Sequence, residues 1–373
     1  MRKSRVLVAG AGIAGLTAAK GLHGGGWQVH LVERRPAFDA VPTGLFFPAN
    51  GMRALTALGA GTTLLSCGQR IARLRLSSAS SDTEAVADLA QVWPATGPSI
   101  AVHRPRAMDA LRDWCPVPVR LGVGIQSLTQ HGERVQAQLD DGSAEEYDLV
   151  IGADGVHSTV RGALWPDTAA RYGGESWWRG VVACPAGLED WSACFCQEGN
   201  FVSIPIGRGL AYWAAGSYSA EPFGDPPQGR AARVRERFSD VTGIHAKILG
   251  QVDDDAQVQF SPAEEVWVEQ PVRGRVVLLG DAAHTTTPSM AQGGSMAAED
   301  ALVLVAELAA APDVDQALAR YASRRRPRTS YVQEATAMRN GLAALSLQER
   351  TGFVLPNWAE LSINAFAPLV REP

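Results

Sequence analysis

Arg5-Val-Leu-Val-Ala-Gly10-Ala-Gly12-Ile-Ala14-Gly15 opens the chain with an apolar run that stops at a glycine. Val6 to Ala9 reads as a short strand buried on both faces, and Leu16 to Leu22 continues at helical spacing until Gly24-Gly25-Gly26. Gln28 to Glu33 is a second strand ending in an acid. Strand, glycine turn, helix, strand and acid, with the acid about twenty residues past the turn, form the pattern of a dinucleotide site. The glycines let backbone approach a pyrophosphate, and the acid suits ribose hydroxyls. Glu33 fits an unphosphorylated ribose, as in FAD or NAD, whereas the adjacent Arg34 and Arg35 suit a 2′-phosphate.

A second strand–loop–helix unit lies far downstream, at Arg275-Val-Val-Leu-Leu-Gly280-Asp281-Ala-Ala-His284-Thr-Thr-Thr-Pro288-Ser-Met290-Ala291-Gln292-Gly293-Gly294-Ser295. Val276 to Leu279 reads as a buried strand, and an Ala-rich helix follows to Ala311. Between them stand one carboxylate, Asp281, suited to a sugar hydroxyl, and a Gly-Gly pair where backbone can meet a ligand. A helix starting there offers free N–H groups and a partial positive charge to a phosphate or an anionic ring.

Asp140-Asp141-Gly142 marks a hairpin between strands at Arg134–Leu139 and Glu145–Ile151, and Leu121–Ile125 reads as the strand before it. Asp148-Leu-Val-Ile-Gly152-Ala-Asp154-Gly155-Val-His-Ser158-Thr-Val-Arg161 then leads into a region, 165–270, of alternating segments. That region carries Trp177, Trp178, Trp191, Trp213 and Trp267, as expected of strands around an aromatic-lined pocket. From Asp313 to about Leu345 the chain is helical, and its cluster Arg320–Arg326 reads as a solvated face.

With 373 residues, 46% hydrophobic and 20% charged, the chain is long enough for two domains sharing a core. A net charge of −5 gives no basic footprint for nucleic acid. Cys67, Cys115, Cys184, Cys194 and Cys196 show no Cys-x-x-Cys and no metal spacing, so free thiols in a reducing compartment and no metal are expected. No apolar run reaches the ~18 residues of a membrane span, and a cytoplasmic protein follows as the expectation.

The three segments resemble those of the single-component flavoprotein aromatic hydroxylases, the family of p-hydroxybenzoate and salicylate hydroxylases. The Asp281 stretch resembles their "GD" box, with Ala291 where the family usually has glycine. The Asp154 stretch resembles their "DG" box, which lies by the FAD pyrophosphate and the nicotinamide route. The resemblance implies an α/β fold: a Rossmann-like FAD-binding domain with an inserted antiparallel-sheet substrate domain and C-terminal helices. Residues 1–164 and 271–340 would form the FAD-binding domain, 165–270 the substrate domain and 341–373 a helical cap.

It also implies non-covalent FAD, reduced by NADPH or NADH and reacting with O2 through a C4a-hydroperoxide that hydroxylates or epoxidises an aromatic substrate. The FAD contacts it implies are Gly10, Gly12, Ala14, Gly15, Glu33, Arg34, Arg104 and Ile125, then Asp281 on the ribityl chain and the Ala291-Gln292-Gly293-Gly294-Ser295 backbone on the flavin. Pro288 would lie beside the ring, and His284 is usually structural in this box. Arg104 is equally readable as a surface ion pair.

Phe201, Ser203, Tyr212 and Met290 are the expected substrate contacts. Phe201 aligns where a purine-oxidising branch of the family has a substrate-binding arginine. An apolar aromatic or polycyclic substrate, polyketide-, indole- or quinolone-like, is therefore expected over an anionic one. A flavin halogenase would need Trp-x-Trp-x-Ile-Pro and an early lysine, but lysine occurs only at Lys3, Lys20 and Lys247. An FAD-binding isomerase or cyclase without net redox, or a non-catalytic homologue, remain the alternatives. The expected assembly is a monomer or weak homodimer.

Overall fold

The computed structural model describes residues 4–38, 41–343 and 345–373. At its centre is a six-stranded sheet in the order Val272–Arg273, Val276–Leu278, Leu149–Gly152, Arg5–Ala9, Gln28–Glu33 and Val119–Leu121. All neighbours in it are parallel except the edge pair Val272–Arg273 with Val276–Leu278. Arg5–Ala9 is sandwiched: Val6 and Val8 point into a core with the helices, and Leu7 and Ala9 into a second core under an antiparallel meander. Double-sided burial is why its sequence is apolar without alternation. The chain leaves this strand toward Gln28–Glu33 on one side, while Leu149–Gly152 pairs on the other, which makes the end of Arg5–Ala9 a topological switch point.

The hairpin differs from its sequence reading in one respect. Glu145–Ile151 is two strands broken at Asp148: Ala144–Tyr147 pairs antiparallel with Arg134–Leu139, and Leu149–Gly152 joins the parallel sheet. Asp148 explains the break, because its carboxylate accepts from the Arg5 backbone N–H at 2.7 Å and from Arg134 at 2.5 Å. Leu121–Ile125 likewise is a turn, with Gly122 at φ +70, joining strands Val119–Leu121 and Ile125–His131.

A seven-stranded sheet carries the second half, in the order Gln259–Glu265, Arg171–Ala183, Leu210–Tyr218, Gly199–Pro205, Trp191–Cys196, Arg73–Ser78 and Ser81–Asp88. Its last two strands come from inside 1–164, a segment expected to serve only the cofactor domain. They join because Trp191–Cys196 pairs parallel with Arg73–Ser78, and Asp190 at the strand start binds Arg73 at 2.7 Å. Helices Val314–Ala343, Leu347–Phe353 and Trp358–Val370 close the chain. Among the described residues no helix is long and apolar enough to cross a membrane.

Candidate cofactor cleft and active site

Two helices, Ile13–Gly24 and Gly293–Ala310, start side by side at the sheet's switch point. Their glycines have different jobs. A side chain at Gly10, φ +99, would meet the Ala153 carbonyl at 2.3 Å, and one at Gly15 would lie 1.8 Å from the Gly10 carbonyl. These two are demanded by packing. A side chain at Gly12 would meet nothing within 4 Å, so Gly12 is open for a ligand. Gly12 caps its helix without any side-chain bond, which leaves the first-turn N–H groups available to an anion. Ala14 is buried behind them. Glu33 is pinned at this turn by the N–H groups of Ala11 at 2.9 Å and Arg35 at 3.1 Å. Arg34 reaches the His157 carbonyl, and Ile125 is buried in the meander core.

The downstream unit supplies the other wall. Asp281, Pro288 and Gly293 are the exposed residues of a stretch otherwise buried or half-buried. A side chain built on Gly293 would face the Asp281 carboxylate at 3.8 Å, so the two line one opening. Asp281 is accessible to the cleft but closely surrounded by protein. Its carboxyl is raised by that desolvation, against the pull of His284 and Arg104. Arg104, which starts the helix Arg104–Trp114, therefore belongs electrostatically to this site. Ala291 is in the left-handed region at φ +51, the conformation glycine takes without strain.

Gln292 is buried and turned away, its amide oxygen accepting from Asn50 at 2.9 Å. Gly294 packs on Phe47 and Ile13, and Ser295 on Gly51. Backbone, not side chains, thus faces the opening at Gly293.

Behind the wall is an ion network that the sequence reading did not foresee. Arg325 binds Glu299 at 2.9 Å and Asp300 at 2.7 Å; Arg328 binds Glu299 at 2.6 Å, and Asn50 donates to Glu299 at 2.9 Å. Arg325 is 1% exposed, which corrects the solvated-face reading at that residue, while Arg320, Arg324 and Arg326 are exposed. Asp300 accepts from His284 at 2.6 Å and from the Gly280 N–H at 2.8 Å. Burial alone would raise the Asp300 carboxyl, but His284 and Arg325 outweigh it and hold it at about 2. Asp300 in turn raises His284 against its own burial. His284 is a fastener of the loop. Asp154 accepts from the Thr159 and Val160 N–H groups at the start of the helix Thr159–Leu164, which Ser158 caps. Arg161 ties this segment to the Ala282 carbonyl at 3.1 Å.

Strand parity divides the expected substrate residues. On the seven-stranded sheet Val202 pairs with Ala214, Ile204 with Tyr212 and Tyr212 with Val181, so these share one side. Tyr212 packs there against Gly44 of the cofactor half, where a side chain would come within 2.4 Å of its ring. Phe201 and Ser203 point the other way. Phe201 stacks on Trp213 at 5.8 Å, and the Ser203 hydroxyl meets His245 at 3.0 Å, under the helices Arg230–Arg237 and Gly243–Leu249. The structure therefore removes both from the cofactor-facing side, because an off-by-one position in a strand inverts the face. Met290 is 1% exposed and packs in the core between the two halves.

A family model described as an FAD binding domain matches residues 3–336. The chain belongs to the FAD-dependent aromatic hydroxylases. It is 34% identical over 323 residues to aurachin C monooxygenase/isomerase of Stigmatella aurantiaca, covering 85% of this chain and 83% of that protein. Over 305 residues it is 30% identical to 2-heptyl-3-hydroxy-4(1H)-quinolone synthase of Pseudomonas aeruginosa, covering 80% and 79%. The fold matches Klebsiella pneumoniae HpxO complexed with FAD and uric acid at TM-score 0.89 and 24% identity, over 98% of this chain and 96% of that one. This hydroxylase is thus an FAD-dependent monooxygenase, reduced by NAD(P)H. The open Gly12 turn, the pinned Glu33 and the Asp281–Gly293 opening fit a flavin dinucleotide.

Proposed function

We propose that this hydroxylase inserts one oxygen atom, by hydroxylation or epoxidation, into an apolar bicyclic aromatic of the quinolone type. The observation that carries the reading is the cofactor-facing side of the seven-stranded sheet, where Val181, Val202, Ile204, Tyr212 and Ala214 offer apolar and aromatic surface. The names of the aurachin C and 2-heptyl-3-hydroxy-4(1H)-quinolone relatives support the substrate class. In this reading Glu33 and Arg34 hold the adenosine with Ile125, and the turn Gly10–Gly15 takes the pyrophosphate. Asp281 binds the ribityl chain with Arg104 beside it, the Ala291–Ser295 backbone meets the flavin, and Pro288 lies against the ring. When bound, FAD supplies the oxygen activation; the chain's own part is to place the substrate and exclude water. Substrate C–H, O2, reduced nicotinamide and a proton give C–OH, water and oxidised nicotinamide. The protein acts in the cytoplasm as a monomer or weak homodimer.

The test is NADPH or NADH oxidation coupled to incorporation of labelled O2 into a quinolone, with the product resolved chromatographically. No nicotinamide oxidation across a quinolone panel would overturn the reading in favour of non-redox chemistry. Because one relative is named both monooxygenase and isomerase, rearranged products are to be sought alongside simple hydroxylation. Asp281→Ala is expected to purify with little FAD, and full yellow occupancy would remove Asp281 as a ligand.

A further inference from the structure

Pro288 stands exposed in the cofactor loop, and its own turn gives it little hold. The turn Pro288–Met290 is three residues long and closes on one backbone bond, from the Ala291 N–H to the Pro288 carbonyl at 2.8 Å. A single turn of this kind is not self-supporting, and proline has no N–H by which to be tethered. The place of Pro288 is therefore set by what grips its neighbours, Thr287 and Ser289.

The grip comes from the last turn of the helix Val314–Ala343. Asn340 Nδ2 donates to the Thr287 hydroxyl at 2.9 Å, and Asn340 Oδ1 accepts from the Ser289 hydroxyl at 2.6 Å. One planar amide, carrying donor and acceptor together, thus spans both sides of Pro288. The adjacent Arg339 donates to the Ser289 carbonyl at 3.0 Å. Its guanidinium lies 5.7 Å from the ring centroids of both Trp358 and Phe366, on the helix Trp358–Val370. From the seven-stranded sheet the Glu175 carboxyl accepts from Thr287 and lies 3.4 Å from the Ser289 hydroxyl. Thr287 and Ser289 are held between the sheet and the closing helices, and Pro288 is carried between them.

We propose that Asn340 is a positioning residue for the oxygen transfer, holding Pro288 at the flavin ring through Thr287 and Ser289, with Arg339 locking the Ser289 carbonyl. This rests on the reading above that Pro288 lies against the ring. Asn340 touches neither the substrate nor the reacting atoms in this scheme; it keeps the loop down and so keeps water from the reacting face. With the loop down, substrate C–H, O2, reduced nicotinamide and a proton give C–OH, water and oxidised nicotinamide. With the loop loose, O2, reduced nicotinamide and a proton end as hydrogen peroxide and oxidised nicotinamide, and the substrate is left unchanged.

The experiment compares the FAD-loaded wild type, Asn340→Ala, Ser289→Ala and Pro288→Gly in two readouts. Iodide quenching of the flavin fluorescence reads access to the ring without any substrate. Peroxide released against product formed, with a quinolone that the wild type hydroxylates, reads loss of oxygen transfer. Asn340→Ala is expected to raise the quenching constant roughly twofold and the ratio of peroxide to product about tenfold, the scale on which a small misplacement acts. KM for the quinolone should stay within about twofold, since the substrate contacts are untouched. Ser289→Ala removes only the hydroxyl bonded to Asn340; it should reproduce part of the change, add little to it in the double variant, and stand in for Asn340→Ala if that protein does not fold. A lower melting temperature with both readouts unchanged would make Asn340 structural only and overturn the inference. A Pro288→Gly effect on quenching that neither Asn340→Ala nor Ser289→Ala reproduces would overturn the Asn340 assignment and leave Pro288 at the ring. Unchanged quenching in all the variants would remove Pro288 from the ring, and this inference with it. If the wild type hydroxylates no quinolone, the substrate reading falls, and the iodide titration still decides the inference.

Discussion

Trp177 and Trp178 are neighbours in sequence and opposites in circumstance. Trp178 points to the outer side of the seven-stranded sheet, where its indole donates to Asp225 at 2.8 Å and its ring meets Phe238 and Phe260. Trp177 points to the cofactor side, where its indole meets the buried Glu175 carboxyl. The same division holds along the sheet. On the outer side Ser192 and Ser203 satisfy both nitrogens of His245, whereas on the cofactor side Glu175 buries a carboxyl against Ser289, Thr287 and Trp177. One side closes over an imidazole and the other over an acid.

The largest break in this comparison should come from the outer side. Phe201→Ala removes a fully buried ring stacked on Trp213 and is expected to cost about 3–5 kcal/mol. Urea unfolding would read it, with FAD content of the surviving folded fraction unchanged. Trp177→Phe, one strand face away, should shift the same transition far less.

The two sides should also respond to pH with opposite signs. Glu175 holds its proton up to about 7 when folded against an ordinary 4.5, so the native state binds more protons across that window. Its contribution to stability is therefore lost as pH rises from about 4.5 to 7, by roughly 3 kcal/mol at most. His245 is the mirror case: burial lowers it from 6.5 to about 4, and stability is lost as pH falls through that range. Glu175→Gln should flatten the neutral limb of the stability profile and His245→Asn the acid limb. Either variant flattening the other limb would contradict the placement of these groups.

The same contrast explains what the sequence disclosed. Gly10, Gly15 and Glu33 were legible because their jobs are local: a turn, a close helix–strand approach, an acid at a strand end. Phe201 and Ser203 were misassigned because the strand Gly199–Pro205 is buried on both sides, and Phe201-Val202-Ser203-Ile204 shows no alternation to say which side meets the cofactor. Arg325 was taken for solvated because its partners, Glu299 and Asp300, sit on another helix some twenty-five residues away. Charge along a line does not reveal pairing across a bundle. Glu175 carried no signal at all in one dimension, since a lone acid at a strand start ordinarily faces water.

The smallest effect expected belongs to the cofactor loop, against which the Glu175 carboxyl is buried. Ala291 adopts φ +51 between the turn Pro288–Met290 and the helix Gly293–Ala310, a conformation that costs an L-residue roughly 1–2 kcal/mol and glycine little. Ala291→Gly relieves that strain but also frees the loop in the unfolded chain, and the two oppose each other. A net gain of about 1 kcal/mol in thermal or urea stability is expected, together with unchanged FAD binding. Destabilisation by the glycine would mean that the alanine methyl is packed, and that the loop is held by contact there as well as by the Glu299–Asp300–Arg325 network beneath it.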